Sequence, residues 1–266
     1  MTNRELSIRI IVRADDMGMT HASNVAIARC FEEGILTCAG IQAVAPWVEE
    51  ACALGRAHPD WCLGAHLCAL GEWQGYRWRP VLPYSAVPSL VDEHGFLRRT
   101  PEEFYAGNPD YRELEREFRA QAELLIKWGI DIGYVDTHYL DGMEHHPQIT
   151  EVSLKIAAEL GVPRSGHAGE QWMGMIYGTE PDQKEDTYAE ILENLAPGTY
   201  ISLHHLLIDA PDSHVLLHTE VANQMPGGVG THRIAEFATL TSPRIRGIVE
   251  RRGIELLSYR DLGTER

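Results

Sequence analysis

The sequence lacks any apolar run long enough to cross a membrane, and its polar beginning has no hydrophobic segment of the secretory-signal type. It is also poor in cysteine: there are five, an odd number, without CxxC spacing. We therefore expect reduced, mostly buried thiols rather than disulfides or zinc knuckles. These absences predict a cytoplasmic protein without a membrane partner. The cysteines are Cys30, Cys38, Cys52, Cys62 and Cys68.

Basic residues are the minority charge, since 23 Lys and Arg stand against 39 Asp and Glu, for a net charge of −16. This excess argues against a nucleic-acid partner, because few cations are available to displace counterions from a phosphate backbone. A small neutral or cationic substrate remains compatible with it. The sequence also has no GxSxG nucleophile motif and no His-x-His pair, which argues against serine hydrolases and amidohydrolase-type barrels.

Predicted strands and helices alternate along the 266 residues without a change in composition that would mark a linker. This alternation predicts a parallel sheet, and seven or so βα units over this length predict a barrel. We therefore expect one α/β domain over 1–266, a TIM-like, distorted (β/α) barrel of seven to eight parallel strands. Long loops are expected at 71–111 and 206–230. The strands are predicted from Ile8 and at 36–44, 62–68, 133–138, 162–167, 199–204 and 254–258.

The first predicted strand ends in two adjacent carboxylates, Asp15 and Asp16, followed by Gly18. Thr20 can cap the helix predicted over 21–33. Acids at the carboxyl end of a buried parallel strand, just before a helix, lie where α/β enzymes place their chemistry. The alternative is an ordinary βα turn with solvated aspartates.

Later strands also end in groups that could ligate a metal or carry a proton: His66, Asp136 with His138, and His204. In a barrel all these ends face the same mouth. Two imidazoles and a carboxylate around an open position form the arrangement that a hydrolytic metal requires. A remaining carboxylate could deprotonate water, and a separate histidine could protonate the leaving group. Each histidine alone is also compatible with a place in the core.

The section 71–111 is rich in Trp, Pro and Gly, and we expect it to form a wall over the mouth. Trp73 and Trp78 offer flat faces on which sugar rings could stack, although packing against the barrel is equally compatible with them. Residues 90–96 are predicted to form a small hairpin that turns near Gly95.

Several motifs recur in an order and spacing that resemble the YdjC-like carbohydrate deacetylases, which include chitooligosaccharide deacetylases. The similarity runs from about residue 8 to 262. The matching motifs are ADDMG at 14–18, EGILT at 33–37, HPD at 58–60, GAHL at 64–67, RPVLP at 79–83, PSLVD at 88–92, VDTH at 135–138, LTSP at 240–243 and LSYRDL at 257–262.

This resemblance implies a polysaccharide-deacetylase-like barrel that removes an acetyl group from an N-acetylated amino sugar, by attack of a metal-held water on the amide carbonyl. It places the metal on Asp16, His66 and His138. The cation would be Mg²⁺, as in the family, with Zn²⁺ or another transition metal as an alternative.

The resemblance makes Asp15 the base, although the roles of Asp15 and Asp16 could be exchanged, and it makes His204 the proton donor. We expect Asp136 to orient a histidine and Arg164 to orient a carboxylate or bind substrate. An ordinary ion pair of Arg164 is an equal alternative.

The chain departs from the family around this site. Arg13 stands where the family often has Asn, Leu140 and Gly142 stand where it commonly has further histidines, and His205-Leu206 follow His204 in place of Pro-Gly. A non-catalytic carbohydrate-binding or regulatory protein that retains the barrel is therefore the alternative. The sequence is also compatible with a homodimer.

Overall fold

The computed structural model describes residues 7–140, 145–220, 225 and 227–262. Gly142, one of the departures noted above, lies outside the described residues, as do five positions of the predicted 206–230 loop. No described helix is both long and apolar enough to span a membrane.

The central strand, β1 (Ile8–Met17), is buried along almost its whole length. Ile10, Val12 and Ala14 belong to the large core between the sheet and the helices, whereas Ile11 packs in a smaller cluster with Tyr134 and other residues. Both faces of β1 are therefore covered, which explains its nearly continuous apolar run.

The strands form one parallel sheet in the order β4-β3-β2-β1-β6-β5, with β7 also pairing with β1. β6 lies along one side of β1. On the other side, β7 pairs with the beginning of β1 and β2 with its end. The expected distorted α/β barrel is confirmed. The strands are β2 (Cys38–Ile41), β3 (Cys62–Leu67), β4 (Ile132–Thr137), β5 (Gln171–Trp172), β6 (Gly198–His205) and β7 (Glu255–Leu257).

Helices connect the strands and cover the outside of the sheet. Thr20 caps the first helix as expected: its side chain accepts a hydrogen bond from the Ser23 N–H, and the Ser23 hydroxyl bonds back to the Thr20 backbone. The helices are α1 (His21–Glu33), α2 (Val48–Ala57), α3 (Pro101–Ala106), α4 (Tyr111–Lys127), α5 (Pro147–Leu160), α6 (Lys184–Asn194), α7 (Gly228–Leu240), α8 (Pro243–Arg252) and α9 (Tyr259–Leu262).

Two regions differ from the sequence-based expectation. The strand predicted over 162–167 is reduced to one bridge between Val135 and Arg164, and β5 lies further along the chain. Gly166 and Gly169 have φ of 81° and 95°, and this left-handed backbone ends the extended run. The 71–111 section is not all loop, because it contains α3. Its small hairpin is confirmed by an antiparallel bridge between Val91 and Leu97.

Candidate active site

A cavity of about 840 Å³ opens at the carboxyl ends of the strands. β1 contributes Asp15 to its lining, β3 contributes His66, and β6 contributes His205. His138 and Glu72, which lie beyond the ends of β4 and β3, also line it. Residues far apart in the sequence therefore meet at the mouth, as a barrel requires.

Asp16, His66 and His138 meet beside this cavity, and all three are buried. His66 Nε2 lies 3.1 Å from His138 Nδ1 and 3.5 Å from Asp16 Oδ1, and His138 Nδ1 lies 3.2 Å from the same Asp16 oxygen. Ligands about 2.0–2.2 Å from a metal ion lie about 3.0–3.5 Å apart in octahedral or tetrahedral arrangements. The three donor atoms therefore have the spacing of a cation site.

The other ring nitrogen of each histidine contacts a carboxylate. His66 Nδ1 lies 2.7 Å from Asp136 Oδ2, and His138 Nε2 lies 2.7 Å from Glu72 Oε2. Metal-ligating histidines are commonly oriented by such a partner, which fixes the tautomer. Asp136 therefore has the contact that the predicted orienting role requires, whereas Glu72 is a residue that the sequence reasoning missed.

These carboxylates dominate the titration of both histidines. Burial alone would lower the pKa of each ring, but the charges of Asp136 and Asp15 raise the pKa of His66 well above its ordinary value. Burial is likewise outweighed by Glu72 at His138, whose pKa rises to about 9. A cation would compete with protons for His66 Nε2 and His138 Nδ1, because a ring nitrogen must be deprotonated to bind a metal ion.

The two adjacent aspartates lie at an irregularity in β1, and both carboxylates approach His66 Nε2, at 3.9 Å for Asp15 and 3.5 Å for Asp16. Asp16 has φ of 68°, and the pairing register between β1 and β2 shifts between Ala14 and Met17. Bulges of this kind commonly re-aim a side chain beside an active site. Arg233 on α7 donates to the second Asp16 oxygen, Oδ2, at 2.6 Å. Although burial raises the pKa of Asp16, Arg233 and the two histidines hold it well below its usual value.

Asp15 is held by Arg13 instead. Arg13 Nη2 donates to Asp15 Oδ2 at 2.9 Å, and Nε lies 2.8 Å from Oδ1. The same guanidinium lies 3.2 Å from Asp136 Oδ2. Burial raises the pKa of Asp15 to about 6 against the opposing charge of Arg13. Asp15, His66 and Asp136 form a second candidate ligand group. It fits a cation less well, because Arg13 already neutralises both of its carboxylates.

His204 is not in the cavity. It faces the helices, with Nε2 2.7 Å from Ser202 Oγ and Nδ1 3.2 Å from Glu236 Oε2. The next residue, His205, lines the cavity and pairs in register with Asp15. The expected role of His204 as a proton donor to substrate therefore conflicts with its position, because neighbouring side chains of a strand point to opposite faces.

The two expected stacking aromatics are also in the core. Trp73 and Trp78 are 0% and 1% exposed, and neither lines the cavity. Glu72 is the one member of the 71–111 section among the described lining residues, so that section does not form the wall. Tyr139 and Trp172 line the cavity instead and are 39% and 49% exposed.

Arg164 is buried outside the cavity lining. Its Nε donates to Ser153 Oγ at 2.9 Å and its Nη2 to Thr137 Oγ1 at 3.0 Å, which connects α5 to the end of β4. This placement favours support of the strand end over contact with substrate.

The structure is thus a distorted α/β barrel with two histidines and a carboxylate grouped at the carboxyl ends of its strands. The model of the YdjC-like protein family matches residues 9–251, and the chain belongs to this family. A carbohydrate deacetylase of Brevibacillus brevis is 25% identical over 270 residues, covering 96% of this chain and all of the relative. One of Geobacillus stearothermophilus is 27% identical over 263 residues, covering 94% of this chain and 96% of the relative.

The fold is shared with a crystal structure from Enterococcus faecalis V583, of a protein named for cellobiose-phosphate cleavage. The TM-score is 0.76 at 22% sequence identity, and the match covers 96% of this chain and 99% of the other.

Proposed function

We propose that the protein is a divalent-metal-dependent hydrolase that removes the acetyl group from an N-acetylated amino sugar. The observation that carries this proposal is the group of Asp16, His66 and His138, whose donor atoms have the spacing of a cation site. The second ring nitrogen of each histidine contacts a carboxylate. The carbohydrate deacetylases among its relatives supply the substrate class. Two imidazoles favour a transition metal such as Zn²⁺ over Mg²⁺, which prefers oxygen ligands.

A cation bound there would act as a Lewis acid toward the amide carbonyl and lower the pKa of water. Asp15 is the base in this proposal. It lines the cavity, and its Oδ2 lies 3.9 Å from His66 Nε2, so it borders the cation site without being part of it. A pKa raised to about 6 leaves its carboxylate ionised at neutral pH yet basic enough to accept a proton from water.

We assign the second proton transfer to His205 instead of His204. His205 lines the cavity, and its Nδ1 is buried without a hydrogen-bond partner among the residues described. Burial and the charge of Arg233 lower its pKa to about 3, so the ring is neutral at rest. It must therefore accept a proton before it gives one, and the source in this proposal is Asp15, which takes the proton from water and pairs with His205 in register. His205 then passes that proton to the departing amine in the late step.

The substrate wall in this proposal is formed by Tyr139 and Trp172. Both rings are partly exposed and line the cavity, so a sugar ring could stack on them without displacing core residues. The cavity volume is within the range that encloses ligands of several rings.

The test is acetate release from a panel of N-acetylated amino sugars before and after removal of metal with a chelator. Activity should disappear on chelation and return when a divalent ion is added. Full activity in the metal-free protein would contradict the mechanism. Saturable sugar binding without acetate release from any panel member would favour the non-catalytic alternative.

A further inference from the structure

Gln42 directly follows β2 at the mouth of the barrel and is completely buried. Its backbone N–H donates to the Met17 carbonyl at 2.9 Å, which anchors the residue beside the end of β1. Its amide nitrogen, Nε2, donates to Asp16 Oδ1 at 2.7 Å and lies 3.2 Å from His138 Nδ1. The amide oxygen, Oε1, is buried and has no hydrogen-bond partner among the described residues.

The position of this amide matches the cation site. The distances from Gln42 Nε2 to the two donor atoms, 2.7 and 3.2 Å, are close to the distances of 3.1, 3.2 and 3.5 Å that separate the three donor atoms. The end of the Gln42 side chain therefore has the spacing of a fourth corner toward the Asp16 and His138 donor atoms.

The chemistry of the amide depends on which of its atoms faces that corner. Without a cation, the NH₂ group suits the site because the Asp16 carboxylate oxygen accepts one of its protons. Beside a cation it does not, because the NH₂ group is a donor with no lone pair to offer. Turning the amide about its last torsion exchanges nitrogen and oxygen with little change in shape. An amide oxygen is an established ligand for hard cations.

We infer that Gln42 is a fourth protein ligand, through Oε1, when the cation is bound. In the metal-free protein its NH₂ group instead donates to Asp16. This inference rests on the metal site of the proposed function. It also gives a role to a buried amide oxygen that otherwise has no partner, which is uncommon in folded proteins. The competing reading is that Gln42 only orients Asp16 through its N–H, whether or not metal is present.

The two readings predict different numbers of water molecules on the metal. Gln42→Leu removes the amide and keeps a similar volume, and Gln42→Glu restores an oxygen at the same reach. Each protein is loaded with Mn²⁺, its affinity is measured by calorimetry, and the relaxation of water protons by the bound Mn²⁺ reports the exchangeable waters. Gln121→Leu is the matched control, because Gln121 is also buried but bonds to Cys68 and Glu117. Circular dichroism and thermal unfolding verify that each variant is folded.

If Gln42 is a ligand, Gln42→Leu should weaken Mn²⁺ binding by about 10- to 100-fold and increase the water relaxation by about one additional exchangeable water. Gln42→Glu should keep the water relaxation of the wild type, and Gln121→Leu should keep both its affinity and its relaxation. Unchanged water relaxation in Gln42→Leu would overturn the inference and leave the proposed function intact. Absence of divalent-ion binding by the wild-type protein would overturn both together.

Discussion

Two buried polar clusters lie on opposite faces of β6, and they begin at adjacent histidines. On the helix side, His204 bonds to Ser202 and Glu236, Tyr188 donates to Ser202 at 3.0 Å, and Lys184 donates to the Tyr177 carbonyl at 2.8 Å. Among the described residues, this helix-side cluster has partners throughout. It contacts the cavity lining through two backbone groups, the Tyr177 carbonyl and the His205 N–H, which donates to Glu236 Oε2 at 3.1 Å.

The cavity-side cluster, formed by Asp15, Asp16, His66, His138 and His205, is less complete. His205 Nδ1 has no partner in the described part of the chain, and two imidazole nitrogens face each other at 3.1 Å. Buried polar groups are normally paired, so a group left unpaired beside an 840 Å³ cavity indicates a place for a ligand. Complete pairing is typical of a supporting cluster, whereas incomplete pairing favours our proposal that the cavity-side cluster is the reactive site.

The largest effect is expected at the proposed base. Asp15→Asn should keep metal bound, because Asp16, His66 and His138 remain, but should lower turnover by about two to four orders of magnitude. Metal content and acetate release are measured on the same preparation. Asp16→Asn is the matched variant and should lose metal affinity first. The opposite pattern would mean that the two aspartates exchange roles.

His204 and His205 directly test the comparison between the helix-side and cavity-side clusters. His205→Ala should lower turnover by about 100-fold with little change in the free energy of unfolding. His204→Ala should instead reduce that free energy by about 1–3 kcal/mol, because Ser202 and Glu236 lose a buried partner. Turnover at 20 °C and unfolding in urea separate the two effects. A larger loss of turnover in folded His204→Ala would contradict the assignment.

The pH dependence of kcat/KM also tests Asp15 as the base, and the expected effect is of intermediate size. Folding raises the pKa of Asp15 to about 6, so its ionised, proton-accepting form decreases as the pH falls through 6. A bound cation would lower this pKa, which shifts the fall to a more acidic pH. We therefore expect kcat/KM to fall about tenfold per pH unit on an acid limb at or below pH 6. Asp15→Asn should abolish that limb, whereas persistence of the limb would assign it to another group.

The smallest effect is expected at the cavity wall. Trp172→Ala should raise KM by about 3- to 10-fold, because one aromatic contact contributes about 0.5–1.5 kcal/mol. Trp47→Ala is the control, since Trp47 is 43% exposed and lies outside the cavity lining. Trp172→Phe should largely restore KM. Equal KM values in wild type and Trp172→Ala would remove Trp172 from the substrate site.

Much of the fold could be predicted from local patterns. The apolar run of β1 and the cap at Thr20 both act within a few residues, and the structure has both of them. The strand predicted over 162–167 was wrong because the two later glycines take left-handed backbone, which a single short apolar run does not reveal.

The sequence by itself determined the alternation of strands and helices, and it determined that acids and histidines follow several strands at one end of a barrel. Only the tertiary structure decided which side chains face the cavity. His204 and His205 are neighbours in the sequence, and their side chains point to opposite faces of β6. The pairing of β6 with β1 places His205 beside Asp15, whereas His204 faces the helices. Glu72, Arg233 and Gln42 reach the site from a loop, a helix and another strand end, contacts that no local spacing encodes. Local structure depends on neighbouring residues, whereas a site depends on which distant chain segments the closed sheet brings together.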